Sequence, residues 1–251
     1  MSAVALPTPA TAADGAWPQR AAALDWHAAT EALHQQGNAV LPHLLCATEC
    51  AALARLYGHA GETTFRSRVV MQRHGFGQGE YRYFSYPLPD VVASLREALY
   101  PHLAPIANQW NTAMGIDVRY PARHADFMAR CHAAGQVRPT PLLLQYAAGD
   151  YNCLHQDLYG EHVFPLQVAV LLSEPGDDFT GGEFVLTEQR PRMQSRAEVV
   201  PLQRGDAVVF AVHHRPVQGT RGPYRVQMRH GVSRLRSGQR HTLGIIFHDA
   251  E

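Results

Sequence analysis

The sequence predicts an α+β protein: a double-stranded β-helix (jelly-roll) core of about eight strands, with N-terminal helices packed on one side. Three observations lead there. Apolar residues follow helical spacing through much of the first half of the chain. From Thr140 the texture changes to short runs rich in Val, Leu, Ile and aromatics, and Gly, Pro and Asp turns separate those runs. With 251 residues, 46% of them apolar and 18% charged, there is material for one core of that size.

Residues 1–18 are rich in Ala, Thr and Pro without any period, which predicts a loose tail. A single domain over 19–251 follows, with a helical and β flank and substrate lid at 19–139 and the catalytic jelly-roll at 140–251. RAAALDWHAATEALHQQG reads as one amphipathic helix stopped by Gly37, and NAVLPHLL as a short strand. Thr48 is the candidate N-cap of ECAALARLYGHA. TTFRSRVV and GEYRYFSY read as two strands around the glycine-rich turn HGFGQGE. A long helix is expected over about 88–113, kinked or split by Pro101 and Pro105. PARHADFMARCHAAG reads as another helix. The eight strands are PLLLQYA, YNCLHQD, FPLQVAVLLS, GEFVLTE, AEVVPLQ, DAVVFAV, YRVQMRHGVSRL and RHTLGIIF.

No stretch approaches 18 consecutive apolar residues, and the start lacks the basic and apolar regions of a secretory leader, so a cytoplasmic protein without a membrane partner is expected. Cys46, Cys50, Cys131 and Cys153 form neither a CxxC pair nor zinc-type spacing, and reduced thiols are expected. Zero net charge argues against a generally basic nucleic-acid binder. The distribution is uneven, however. There is no Lys; all 22 basic residues are Arg, and 11 of them fall between Arg190 and Arg240, which gives the last quarter a charge of +7.

With 15 His and 11 Asp, roughly one HxD tripeptide is expected by chance, so the string alone carries little weight. There are two. His124 and Asp126 fall in a helical segment, where residues i and i+2 point to different sides. His155 and Asp157 end a strand, where i and i+2 share a face and can chelate one ion. A 2-His-1-carboxylate site needs one more imidazole from a facing strand. His230 in YRVQMRHGVSRL is chosen over His213 and His214, which lie where DAVVFAV breaks into a loop. Such a triad leaves three positions of the ion free, enough for a bidentate co-substrate and O₂, and points to oxidation chemistry. Arg240 follows on the last strand, with Thr242 on the same face. A guanidinium and a neighbouring hydroxyl suit a carboxylate, and the apolar run TLGIIF argues that the pair is buried.

LQYAAGDYNCLHQD, TGGEFVL, RGDAVVF and HGVSRLRSGQRHTL, together spanning about residues 140–248, resemble the iron(II)/2-oxoglutarate dioxygenase superfamily. The resemblance implies iron(II) on His155, Asp157 and His230, 2-oxoglutarate on Arg240 with Thr242 assisting, Tyr146 beside the co-substrate, and no catalytic group beyond the metal centre. O₂ is the co-reactant and ascorbate the in vitro reductant. The spacing from His230 to Arg240, with GGEF and RGDAVVF, is similar to prolyl-hydroxylase-type enzymes. QYAAGDYNCLHQD is similar to the iron-binding strand of AlkB-type repair dioxygenases, although their later RxNxTxR signature is missing. The whole chain most resembles a bacterial family described as nucleic-acid oxygenases that oxidatively demethylate damaged DNA.

Two segments are candidates for the substrate. FRSRVVMQRHGFGQGEYRYF mixes Arg66, Arg68 and Arg73 with Phe76, Tyr81 and Tyr83, a combination able to grip phosphate and stack a base. VHHRPVQGTRGPYRVQMR reads as a Gly- and Pro-bearing insertion with Arg215 among four arginines. Three functions stay open: oxidative demethylation of alkylated DNA or RNA bases, hydroxylation of a protein side chain or small molecule, and a non-catalytic, cupin-like metal-binding role.

Overall fold

Two short helices open the computed structural model, which describes residues 17–59, 61 and 63–251, where the apolar spacing predicts one. These are α1 (Trp17–Ala23) and α2 (Trp26–Gln36). Asp25 makes the break, because its carboxylate accepts the Ala28 amide at 2.9 Å and starts a new helix. Gly37 ends α2 in the left-handed conformation at φ 80°, as expected. Of the expected tail, residues 1–16 lie outside the described residues. Trp17 and Pro18 already belong to α1, and the Trp17 indole donates to Glu49 Oε1 at 2.6 Å.

β1 (Asn38–Leu41) leads to α3 (Ala47–His59). Thr48 is inside the first turn of α3 and does not cap it. Cys46 stands at the cap, and Glu49 reaches back to accept its amide at 2.9 Å, as an acid three residues into a helix can. β2 (Phe65–Val70), a 3₁₀ turn (Met71–His74), β3 (Gly77–Gln78) and β4 (Glu80–Phe84) follow the predicted strand, glycine turn and strand. α4 (Asp90–Ala113) runs unsplit through Pro101 and Pro105. Both prolines are on its exposed face, where water can satisfy the carbonyls left without a donor. α5 (His124–Ala133) completes the helical layer.

The remaining strands are β5 (Leu142–Ala147), β6 (Tyr151–His155), β7 (Leu166–Leu171), β8 (Phe179–Gly181), β9 (Phe184–Gln189), β10 (Ser195–Val200), β11 (Ala207–Ala211), β12 (His214–Gly219), β13 (Gly222–Val232) and β14 (Leu235–Ile245). All eight predicted strands are among them. β8 and β12 are additions. The segment expected to be a loop insertion is instead the hairpin of β12 and β13, turned at Thr220 and Arg221.

The strands form two sheets. The larger runs β1-β11-β7-β14-β5-β4-β2, with β8 pairing β14, and the smaller runs β10-β9-β13-β6-β3, with β12 pairing β13. The flank before residue 140 is thus woven into both sheets. β1 pairs β11, β4 pairs β5 and β3 pairs β6. Strand alternation divides the larger sheet between two cores. Val168, Val170, Val209, Leu243 and Ile245 pack with the helices. Ala169, Leu171, Val208 and Phe210 meet Phe184 and Leu186 between the sheets. This is the jelly-roll with a helical flank that the sequence predicts. No helix among the described residues is long and apolar enough to cross a membrane.

Candidate metal centre and its cavity

His155 closes β6, and His230 on β13 is its direct cross-strand partner, with ring centroids 4.1 Å apart. Asp157 lies two residues beyond His155, outside the paired strand. Its Oδ1 is 3.5 Å from His155 Nε2 and its Oδ2 is 3.4 Å from His230 Nε2. One ligand atom from each of the three residues falls within 4.8 Å of the others, so the set could hold a metal ion. His155 Nδ1 is 2.8 Å from the Cys153 carbonyl and must donate to it, leaving Nε2 with its lone pair toward the centre. Burial pushes the Asp157 carboxyl up, but the hydrogen bond from His230 and the two imidazoles outweigh it and hold Asp157 well below the carboxylate range. Burial, then the neighbouring His155, lowers His230. One carboxylate and two imidazoles make the donor set a divalent transition metal takes.

The rival residues are elsewhere. His124 Nε2 donates to the Phe247 carbonyl at 2.9 Å inside the helical core, while Asp126 is exposed and pairs with Arg123. His213 and His214 line a different cavity near Tyr120 and Val163.

Arg240 points between the sheets with Thr242, and its Nη1 donates to Thr242 Oγ1 at 2.6 Å. Three arginines are among the largest fully buried side chains. Arg96 has Asp249 at 2.8 Å and Arg215 has Glu188. Among the described residues Arg240 has no carboxylate within salt-bridge distance, and its Nε has no partner at all. Burial pulls its guanidinium down to about 10, so it stays charged at neutral pH. A buried cation without a counter-ion is costly, and a carboxylate-bearing ligand would relieve that cost. Directly opposite on β5, Tyr146 is fully buried with an unpartnered hydroxyl, and burial raises its phenol to about 12.

The triad, Arg240, Thr242 and Tyr146 all line one cavity of about 250 Å³. Tyr81 and Tyr83 form part of its wall, as does Phe76, which is 47% exposed, stacked on His74 and held at the mouth. Gly77 fixes that lip; at φ +128° its backbone lies so close to Tyr151 that a Cβ would collide with the Tyr151 carbonyl.

The arginines proposed for substrate are not part of the cavity lining. Arg66 donates to the Pro139 carbonyl at 2.9 Å and covers the Tyr83 ring at 4.4 Å. Arg68 is clamped on Glu80, and Arg73 is exposed on the 3₁₀ turn. Arg215 has to be withdrawn: it is 1% exposed, paired with Glu188, and donates to the His34 and Gln35 carbonyls at the end of α2. Its role is structural. Asn152, Gln156, Gln167 and Tyr159 line the cavity without having been singled out in the sequence. A second cavity of about 380 Å³ is lined by Phe179, Thr180, Gly182, Val199 and Gln203 and shares Arg240 and Phe184 with the first.

Residues 79–250 match the model of a family described as "Oxygenase, catalysing oxidative methylation of damaged DNA". The chain belongs to this oxygenase family. Uncharacterised proteins from two strains of Mycobacterium tuberculosis are 52% identical to the oxygenase over 167 residues, or 66% of this chain and 72% of theirs. Among solved structures, a Pseudomonas putida prolyl-4-hydroxylase aligns with TM-score 0.53 at 16% identity, covering 90% of the oxygenase and all of that chain. A Phytophthora capsici prolyl 4-hydroxylase aligns with TM-score 0.54 at 14% identity, over 96% of the oxygenase and 68% of that chain. A Burkholderia pseudomallei oxidoreductase of the 2OG-Fe(II) oxygenase family gives 0.50 at 16% identity, with 94% of each chain covered. At these identities the likeness is one of fold, and that fold is the jelly-roll described above. Membership of an oxygenase family sets aside the non-catalytic, cupin-like alternative.

Proposed function

We propose that this oxygenase uses iron(II), 2-oxoglutarate and O₂ to hydroxylate a C–H bond, and that its substrate is an alkylated base in DNA or RNA. The observation that carries the reading is Arg240, a buried cation with no counter-ion within salt-bridge distance among the described residues, in the same cavity as a His-Asp-His cluster. His155, Asp157 and His230 hold the metal. Arg240 and Thr242 grip the far carboxylate of 2-oxoglutarate, and the Tyr146 hydroxyl offers one more hydrogen bond. When bound, the metal and the keto acid supply oxidising power from O₂, and the keto acid leaves as succinate and CO₂.

The protein supplies position. The Phe184 and Phe210 side of the cavity keeps water from the centre, while Phe76, Tyr81 and Tyr83 offer flat surfaces on which a planar group can lie. A base stacked there points its alkyl substituent inward. Hydroxylation of an N-methyl carbon gives a product that falls apart to formaldehyde and the free amine. A cytoplasmic location belongs to the same reading, and four free cysteines suit it.

The prolyl-4-hydroxylase fold likeness favours a second reading, hydroxylation of a protein side chain or small molecule. Formaldehyde and succinate detection, with iron(II) and ascorbate, across methylated DNA, methylated RNA and a peptide panel separates the two. Formaldehyde from an oligonucleotide supports the first reading. Succinate formation stimulated by peptides and by no nucleic acid overturns it.

A further inference from the structure

We propose that Tyr159 is a positioning residue for the metal-binding carboxylate of Asp157, oriented in turn by Tyr83. The proposal rests on the metal reading above and adds to it a residue outside the triad. The Tyr159 hydroxyl donates to Asp157 Oδ1 at 2.9 Å, and the Tyr83 hydroxyl lies 3.1 Å from the Tyr159 oxygen. A carboxylate can only accept, and a phenol has one proton. Tyr159 therefore spends its proton on Asp157, and Tyr83 must donate to Tyr159. The chain of hydrogen bonds has one direction and ends at the metal site.

Asp157 needs such a brace because it lies past the end of β6, where no ladder hydrogen bond holds it. Tyr159 is itself well anchored. Its carbonyl accepts from Gln136 Nε2 at 3.1 Å, and the fully buried Gln136 also donates to the Asp249 carbonyl at 2.6 Å and accepts the His162 amide at 2.7 Å. Tyr83 is fixed in β4 opposite Leu142 and covered by Arg66. A carboxylate with one oxygen already hydrogen-bonded offers the other to a metal, which favours binding through a single oxygen and keeps positions of the ion open for co-substrate.

The test is titration of the apoprotein with Mn(II) and Co(II) by calorimetry, with the visible spectrum of the Co(II) form as a second readout. Tyr159→Phe keeps the ring and removes only the donor. Its affinity is expected to fall about 10- to 100-fold with altered Co(II) bands, and Tyr83→Phe to weaken binding by a smaller factor. A Tyr159→Phe protein that binds both ions within twofold of wild type, with an unchanged spectrum, overturns the proposal. Should that variant fail to fold, unweakened binding by Tyr83→Phe does the same. A wild-type protein that binds neither ion removes the metal reading itself, an outcome distinct from a failure of Tyr159 alone.

Discussion

Arg240 and Tyr146 face each other across adjacent strands of the larger sheet, a buried guanidinium opposite a buried phenol, each with a hydrogen-bonding group that no atom of the described residues satisfies. Arg240→Met is therefore expected to raise the 2-oxoglutarate KM by about 100-fold or more, because charge-assisted hydrogen bonds contribute about 1.5–3 kcal/mol each. Without 2-oxoglutarate the same variant should melt at a higher temperature than wild type, since it removes an uncompensated buried charge. Kinetics and thermal melts with and without the keto acid check both. A lower melting temperature with an unchanged KM would contradict the assignment.

Phe76 is exposed at the lip of the cavity and stacked on His74. Aromatic stacking of a base contributes about 1–3 kcal/mol, so Phe76→Ala should raise the KM for a methylated oligonucleotide roughly 5- to 150-fold. Phe76→Trp should keep it near wild type, and neither change should alter the KM for 2-oxoglutarate. Steady-state kinetics with both substrates varied gives the answer.

Arg215 and Glu188 are a fully buried ion pair that also fastens the end of α2. Arg215→Met takes away the buried partner of Glu188 and leaves it only the more exposed Arg190 at 3.1 Å and Arg196 at 3.8 Å, so it should cost about 1.5–3 kcal/mol in urea unfolding. The double variant with Glu188→Leu should recover much of that loss. Affinity of the folded protein for oligonucleotides should not change, in contrast to what a substrate-binding arginine would show.

His124 and His248 are buried, and burial, followed by the charge of Arg96, lowers both from 6.5 to about 4. The unfolded chain takes up protons at these residues below about pH 6.5, while the folded chain refuses them until about pH 4. Stability should be fully present above pH 6.5 and fall as the pH drops toward 4, by roughly 1.4 kcal/mol per pH unit for each histidine. His124→Gln keeps a donor for the Phe247 carbonyl without titrating there, so it should flatten the slope by about one proton. Denaturant melts across that range measure it.

Local rules made much of this legible in the sequence. Strand parity put Arg240 and Thr242 on one face, and that face lines the cavity, while Leu243 and Ile245 on the other face pack with the helices. It also separated the useful HxD from the helical one at His124. Where partners are distant in the chain, the sequence was silent. Tyr159 draws its meaning from Tyr83, 76 residues away. Arg215 read as a substrate-binding candidate because Glu188 reaches it only after β9 and β12 have folded beside β13. β12 itself, HRPVQG with its Pro and Gly, has weak strand propensity and owes its conformation to pairing with β13. Asp25 split the first helix by a single hydrogen bond that apolar spacing does not register.

Arg240 also lines the second cavity, so the proposed co-substrate anchor borders a space that none of the three proposed metal ligands lines. A small carboxylate seated against Phe179 and Gly182 would lie beside the guanidinium. An inhibitor built that way needs no chelating group, and its selectivity would come from Thr180, Val199 and Gln203, none of which belongs to the triad.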